Sequence, residues 1–148
     1  MRLIAALNHI VARLLDRAAT YFFLFGCWFV ILWLLSSGNP SVKHTGEIPH
    51  FDKLAHFIYF YVGGALLTIG IGLQWQSLPD MRLFLIVVII CSLIGRLDEY
   101  HQSYVPGRTG NDIGDWIADT AGGLCGCAMV LGFLLSRFTP RIGKRAAE

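Results

Sequence analysis

The feature that most constrains this chain is an uncharged run of twenty residues, 18–37, rich in Phe, Trp and Leu. An α-helix of that length spans the hydrocarbon core of a bilayer, which is ~30 Å thick. The rest of the 148-residue chain has the same character, since 55% of the residues are hydrophobic, only 15% are charged and the mean hydropathy is +0.56. This composition is typical of an integral membrane protein.

Three further segments predict membrane helices, and two of them are polar at one end. Residues 54–78 form a second long apolar segment. The third segment has an apolar core at 83–95 and reaches spanning length only by continuing into charged residues. The fourth begins near residue 113 with two acidic residues and then runs uncharged to 136. The sequence therefore predicts an all-α integral membrane protein, a four-helix bundle over residues 18–136.

The two flanks are too short for a separate soluble catalytic domain. Residues 1–17 carry apolar side chains at helical spacing opposite charged ones, which predicts an amphipathic helix at the membrane interface or a cytoplasmic tail. A cleaved signal peptide is the alternative, although the apolar run after it is longer than the usual 7 to 15 residues. Residues 137–148 form a basic tail.

The distribution of Lys and Arg predicts the orientation. Eight of the twelve lie in the N-terminal tail, the hairpin that contains Arg82, and the C-terminal tail. By the positive-inside rule both termini are cytoplasmic, and the regions 38–52 and 95–115 face outward. The net charge of +2 is too small to indicate a nucleic-acid partner.

Small residues inside the apolar segments predict packing rather than chemistry. Gly122 and Gly126 have the spacing that lets membrane helices approach closely. All four cysteines also fall inside apolar segments, where thiols pack as small hydrophobic groups, so no disulfide is expected. They are Cys27, Cys91, Cys125 and Cys127.

Three of the predicted helices carry polar residues three or four positions apart, all at the outward level. Residues at this spacing share one face of a helix. A charge at the membrane centre costs about 2.5 to 3.5 kcal/mol on insertion scales, so such faces turn inward and pair. One shared, outward-facing polar pocket is therefore predicted. The groups are Asp52 with His56, Asp98 with His101 and Gln102, and Asp115 with Asp119.

These residues suit several functions. In an enzyme, His56 or His101 would be the general base, oriented by Asp52 or Asp98. Asp115 and Asp119 would hold a proton or a divalent cation. The spacings match no zinc signature, so the cofactor stays open. In a transport or binding protein the carboxylates would be proton sites, and in a structural partner of envelope proteins they would only specify packing. The candidate catalytic residues are Asp52, His56, Asp98, Glu99, His101, Asp115 and Asp119.

A glycine-rich turn at 106–112 presents Arg108 beside the start of the fourth helix. A guanidinium group next to helix N-terminal amides favours an anion site, especially for phosphate. Lys53 and Gln102 complete the candidate ligand-binding set. The alternative is an ordinary turn in which Arg108 pairs with a nearby carboxylate of Asp98, Glu99 or Asp112.

Taken in order, three motifs within residues 50–126 resemble the VanZ-like family of small bacterial membrane proteins. The resemblance implies the bacterial inner membrane and an envelope function, because the name-giving member is associated with low-level resistance to teicoplanin, which binds peptidoglycan precursors. A membrane lipid or lipid-linked precursor is then the expected partner. The motifs are Asp52-Lys53-x-x-His56-Phe57, then Asp98-Glu99-x-x-Gln102 with Pro106-Gly107-Arg108, and finally Asp115-x-x-x-Asp119-x-x-Gly122.

Overall fold

A computed structural model describes residues 17–38, 51–108 and 110–133, which fold into four α-helices. The predicted all-α four-helix bundle is confirmed. The amphipathic helix expected before residue 17 and the basic tail at 137–148 lie outside the described residues. The helices are α1 (Ala18–Ser37), α2 (Phe51–Gln74), α3 (Asp80–Gln102) and α4 (Ile113–Phe133).

The starts of α3 and α4 have identifiable local causes. Pro79 precedes α3, and its carbonyl oxygen accepts hydrogen bonds from the amides of Arg82 and Leu83. The preceding helix, α2, ends at Gln74, four residues before the expected position. At the start of α4, the Asp112 carboxylate accepts the amide of Gly114 at 2.6 Å, as an N-terminal cap does.

The bundle exposes large apolar side chains and buries three acidic ones in an otherwise mostly apolar core. Phe23 is 70% exposed and Ile89 is 56% exposed, whereas Asp98, Glu99 and Asp119 are buried. This arrangement suits a lipid environment, where charged groups must turn toward the protein interior. It would be unfavourable for an isolated soluble domain, which rarely exposes large apolar patches.

Three helices, α1, α2 and α4, are long and apolar enough to cross a membrane. The 23 residues of α3 give it a length of about 35 Å, which also suffices for a bilayer. Its second half is less apolar because it carries Asp98, Glu99 and Gln102, and these three side chains are buried. The polar end of α3 is therefore packed inside the bundle.

Glycines let α2 and α4 approach each other closely. A Cβ atom added to Gly122 would lie 2.2 Å from the carbonyl oxygen of Phe57, and one added to Gly126 would lie 2.1 Å from that of Tyr61. No side chain fits at such distances, so the packing role predicted for this glycine pair is confirmed. The contact brings the first turns of α2 beside those of α4.

A pair of aromatic residues fixes α1 against α2. The indole Nε1 of Trp28 donates to the carbonyl of Tyr59 at 3.0 Å, and the Tyr59 hydroxyl donates to the carbonyl of Trp28 at 2.7 Å. Trp28 also packs edge-on against the buried ring of Phe60. These contacts hold the middle of α1 against the first half of α2.

Candidate functional site

A polar cavity of about 160 Å³ lies where the C-terminal ends of α1 and α3 meet the start of α2. Its wall combines apolar residues with polar side chains from α1, α2, α3 and the loop after α3. We call it the polar cavity. The polar residues that line it are Ser36, His56, Tyr59, Asp98, Gln102 and Arg108.

His56 is paired with a fully buried aspartate. Its Nδ1 atom lies 2.9 Å from Oδ1 of Asp119, whose side chain is 0% exposed. A carboxylate oxygen accepts, so Nδ1 carries the proton, and the contact becomes an ion pair when Nε2 is protonated as well. The expected orienting residue was Asp52 or Asp98, and the structure assigns that contact to Asp119 instead. The close contact of α2 with α4 explains the difference.

Asp98 belongs to a hydrogen-bonded chain that joins α1, α3 and the loop. One carboxylate oxygen accepts from the hydroxyl of Ser36, and the other accepts from the amide of Gln102 at 2.7 Å. Gln102 in turn accepts from the guanidinium of Arg108 at 3.2 Å. Sequence reasoning missed Ser36. The only signal was a hydroxyl residue one position before the end of an apolar helix.

Arg108 donates to neutral acceptors. Its Nη2 atom donates to the carbonyl of Leu35 at 2.7 Å, and its Nε atom donates to the carbonyl of Gly38 at 3.3 Å. Among the described residues it forms no ion pair with a carboxylate, so the alternative reading of this arginine as a partner of Asp98, Glu99 or Asp112 is not what the structure shows. A guanidinium has five N–H groups. The bonds to Leu35, Gly38 and Gln102 use three of them.

The amides at the start of α4 are directed elsewhere. The amide of Asp112 donates to Oε2 of Glu99 at 2.7 Å, and that of Gly114 donates to Asp112 itself. The sequence predicted an anion site made of Arg108 together with these amides. The structure separates the two, because Asp112 and Glu99 already supply the negative charge at this helix end.

Lys53 lies at the centre of a partly exposed acidic group, which we call the Lys53 cluster. Its Nζ atom is 2.9 Å from Asp112, 3.0 Å from Asp115 and 3.4 Å from Asp52. The hydrogen bond from Lys53 holds the pKa of the Asp112 carboxyl below its usual value. The ammonium is thus surrounded by carboxylates of the protein, and Lys53 does not line the polar cavity with Arg108.

Glu99 is buried beside His56 and Asp98. One oxygen atom of each carboxylate and one ring nitrogen of His56 lie within 4.8 Å of one another. Oε1 of Glu99 and Oδ2 of Asp119 are buried without a hydrogen-bond partner in the part of the chain that the structure describes. Unpaired buried polar atoms of this kind are uncommon in folded proteins.

His101 lies apart from His56 and Asp119. Its ring stacks on Trp33 of α1, with 3.8 Å between the ring centroids. It lines a second cavity of about 330 Å³ between α1 and α3, which we call the apolar groove. Gln102, not His101, donates a hydrogen bond to the carboxylate of Asp98. The groove is lined by Phe29, Leu32, Trp33, Ile94, Leu97, Asp98, Tyr100, His101 and Tyr104.

The three motifs that carry the resemblance therefore surround one end of the bundle. A protein-family model described as VanZ/LLP1 matches residues 18–136, a stretch that contains all four described helices and well over half of the chain. The chain belongs to the VanZ-like family. The resemblance drawn from the sequence is thus confirmed. No curated protein and no solved structure matches.

Carboxyl groups outnumber basic groups at the polar end of this VanZ-like protein. Asp52, Asp112 and Asp115 surround Lys53, while a second set is buried near His56. Arg108 is the one permanently cationic residue among the described residues that line the polar cavity. Contact with Arg108 or an added cation would favour an anionic ligand there. The buried set is Asp98, Glu99 and Asp119.

Proposed function

We propose that this VanZ-like protein binds an anionic membrane lipid or a lipid-linked envelope precursor. The observation that carries the proposal is that the two cavities lie side by side, with Leu32 and Asp98 in the walls of both. A charged group in the polar cavity and a hydrocarbon chain in the apolar groove would belong to one amphiphilic molecule. Lipids and lipid-linked precursors are molecules of this kind.

Arg108 supports an anionic headgroup, and phosphate in particular. Its guanidinium is held by the carbonyls of Leu35 and Gly38 and by Gln102, so its position is defined before a ligand arrives. The N–H groups that remain can grip two oxygen atoms of one phosphate, a geometry that an ammonium group cannot provide. Preorganisation of this kind lowers the entropic cost of binding.

The apolar groove supports a hydrocarbon chain. Trp33, Leu97 and Tyr104 are exposed along it and would face lipid. Trp and Tyr are enriched where a membrane protein meets the interface between hydrocarbon and headgroups. A hydrocarbon chain in this groove would stay in contact with the bilayer. The lipid could therefore enter laterally from the surrounding leaflet.

The proposal includes an orientation. We place the protein in the bacterial inner membrane with both termini cytoplasmic and the polar cavity at the outer leaflet, as the Lys and Arg distribution favours. Envelope precursors that glycopeptides recognise are exposed on that side. Binding or altering such a precursor would connect the protein to teicoplanin-type resistance, the phenotype that the family resemblance suggests.

A second candidate function is catalysis at the same cavity, and the His56–Asp119 pair favours it. A histidine whose Nδ1 is held by a buried carboxylate has a defined tautomer, and its Nε2 can accept a proton from a substrate. His56 lines the polar cavity, where a headgroup would be bound. Product formation from a lipid phosphate, and its loss in His56→Gln, would distinguish catalysis from binding.

Native mass spectrometry of the purified protein tests the binding function. The protein is exchanged into nanodiscs that contain phosphatidylglycerol, phosphatidylcholine or diacylglycerol, and the lipid retained after release is identified. We expect retention of a defined number of phosphatidylglycerol molecules. Little zwitterionic phosphatidylcholine or uncharged diacylglycerol should be retained. Equal retention of all three would contradict an anionic headgroup site.

A further inference from the structure

We propose that His56, Asp98 and Glu99 together bind one divalent transition-metal cation inside the polar end of the bundle. The three potential ligand atoms lie within 4.8 Å of one another. A tetrahedral cation bonded to nitrogen and oxygen at about 2.0 to 2.2 Å holds its ligand atoms about 3.4 Å apart, so binding would draw the three side chains together by up to about 1.4 Å. Rotations of the three side chains would have to supply this movement.

The unpartnered oxygen of Glu99 is the independent observation that points to a cation. Glu99 is 1% exposed, and its Oε2 atom accepts from the amide of Asp112. Its other oxygen, Oε1, is buried and has no hydrogen-bond partner among the described residues. A buried carboxylate oxygen without a donor is costly, and a metal ion is a partner that satisfies it.

The surroundings of His56 and Asp98 match those of metal ligands. A ligating histidine commonly donates its other ring N–H to a carboxylate, as His56 does to Asp119. Ligating carboxylates are themselves held by hydrogen bonds, as Asp98 is by Ser36 and Gln102. Asp119 would then be a positioning residue, because it fixes the ring of His56 so that Nε2 points away from it.

The ligand set indicates the class of cation. One imidazole nitrogen and two carboxylate oxygens suit Zn²⁺ or Mn²⁺ rather than a soft cation that prefers thiolates. Three protein ligands leave at least one coordination position open. An ion at this site would also offset the excess of carboxylates at the polar cavity.

The open position connects the cation with the lipid. This step rests on the proposed function: a phosphate oxygen of the headgroup would bind the cation while Arg108 grips the remaining oxygens. His56 and Arg108 line the same cavity, so the two contacts can reach one phosphate. A cation at Nε2 also takes the lone pair that a general base would need, so His56 cannot serve in both roles at once.

The Lys53 cluster provides the control. Asp52, Asp112 and Asp115 also bring carboxylate oxygens within 4.8 Å of one another. The ammonium of Lys53 contacts all three, at 2.9 to 3.4 Å, and so it already provides their cationic partner. A metal should therefore bind to the buried group and not to this one.

Metal content of the protein in nanodiscs tests the proposal. The protein is treated with a chelator, dialysed against Zn²⁺ or Mn²⁺, separated from free metal and analysed by elemental mass spectrometry. We expect one tightly held ion per chain in wild type and in Asp115→Asn, and loss of that ion in Glu99→Gln and His56→Gln. Asp119→Asn should weaken binding by about 10- to 100-fold, as changes next to ligating histidines do.

Spectroscopy covers the case in which a ligand variant fails to fold. X-ray absorption of the zinc-loaded wild type should show nitrogen and oxygen neighbours with the signature of one imidazole. A wild-type protein that holds no stoichiometric metal, or a spectrum without imidazole, overturns the proposal. So does metal binding unchanged in folded Glu99→Gln.

Lipid retention is measured in the same samples, so that the two proposals fail separately. Absent metal with lipid retention that depends on Arg108 would remove the cation and leave the lipid function standing. Stoichiometric metal with no lipid retained would remove the lipid function and leave the cation site standing. Lipid lost on chelation and restored by Zn²⁺ or Mn²⁺ would support both.

Discussion

The Nδ1 atom of His56 lies 2.9 Å from the Oδ1 atom of Asp119, and this contact joins α2 to α4 inside the bundle. Asp119 lies about two turns into α4 and is fully buried. A carboxylate at that depth needs a partner, because burial without one is strongly unfavourable. The pair therefore both stabilises the bundle and positions His56 in the polar cavity.

We expect Asp119→Ala to destabilise the protein much more than Asp52→Ala. The first substitution leaves a buried imidazole N–H without an acceptor, which costs about 1 to 3 kcal/mol. The second removes an exposed partner of Lys53, worth about 0 to 1 kcal/mol. Thermal unfolding in detergent compares the two variants. Equal losses of stability would show that the His56 contact does not support the bundle.

Gly95→Ala should disturb the same pair from α3. A Cβ atom at this position would lie 2.7 Å from both Cβ and Oδ2 of Asp119. Overpacking of this kind costs about 1 to 3 kcal/mol. The matched control is Gly26→Ala, where a Cβ meets nothing within 4 Å and the better helix propensity of alanine is worth up to about 1 kcal/mol. An unchanged midpoint in Gly95→Ala would mean that α3 and α4 are less close than described.

The Lys53 cluster should make a contribution to stability that disappears in acid. Lys53 lowers the pKa of Asp112 in the folded state, so its stabilising effect is complete above the unfolded pKa, about 3.9. It is lost as the pH falls through the lower, folded value. We expect the melting temperatures of wild type and Lys53→Met to differ at pH 7 and to converge at strongly acidic pH. A difference that persists or grows in acid would contradict this ion-pair assignment.

The orientation can be tested with two single cysteines at opposite ends of α3. Ser103 and Gln76 are both exposed, whereas the native thiols lie within the helices. A membrane-impermeant maleimide added to intact cells should label Ser103→Cys and should label Gln76→Cys only after permeabilisation. Wild type is the background control. The reverse pattern would place the polar cavity on the cytoplasmic side.

The fold was largely predictable from the sequence, because hydropathy and segment length identify membrane helices. The expected bounds of the first helix, 18–37, agree with α1. The three polar faces were also expected to meet, since residues four apart share a helix face. His56, Asp98 and Asp119 do lie around one end of the bundle.

The hydrogen-bond partner of each polar side chain was not predictable from the sequence. Spacing gives the face of a helix but not its rotation or axial offset against a neighbour. The glycine contacts between α2 and α4 set that offset and bring His56 to Asp119, not to Asp52. Helix rotation also decides between the neighbours His101 and Gln102. The ring of His101 packs against Trp33, while the amide of Gln102 donates to Asp98.

Arg108 offers the most direct test of the central claim that the polar cavity binds an anionic headgroup. The measurement is native mass spectrometry of phosphatidylglycerol retained by wild type, Arg108→Lys and Arg108→Ala, with Arg82→Lys as a control at the other end of α3. The loop contacts of Arg108 are mostly exposed, so all variants should fold and purify normally. We predict that Arg82→Lys retains lipid as wild type does, while both Arg108 variants lose it, because lysine keeps the charge but not the fork. Lipid retention that is the same in wild type and in both Arg108 variants would contradict the account.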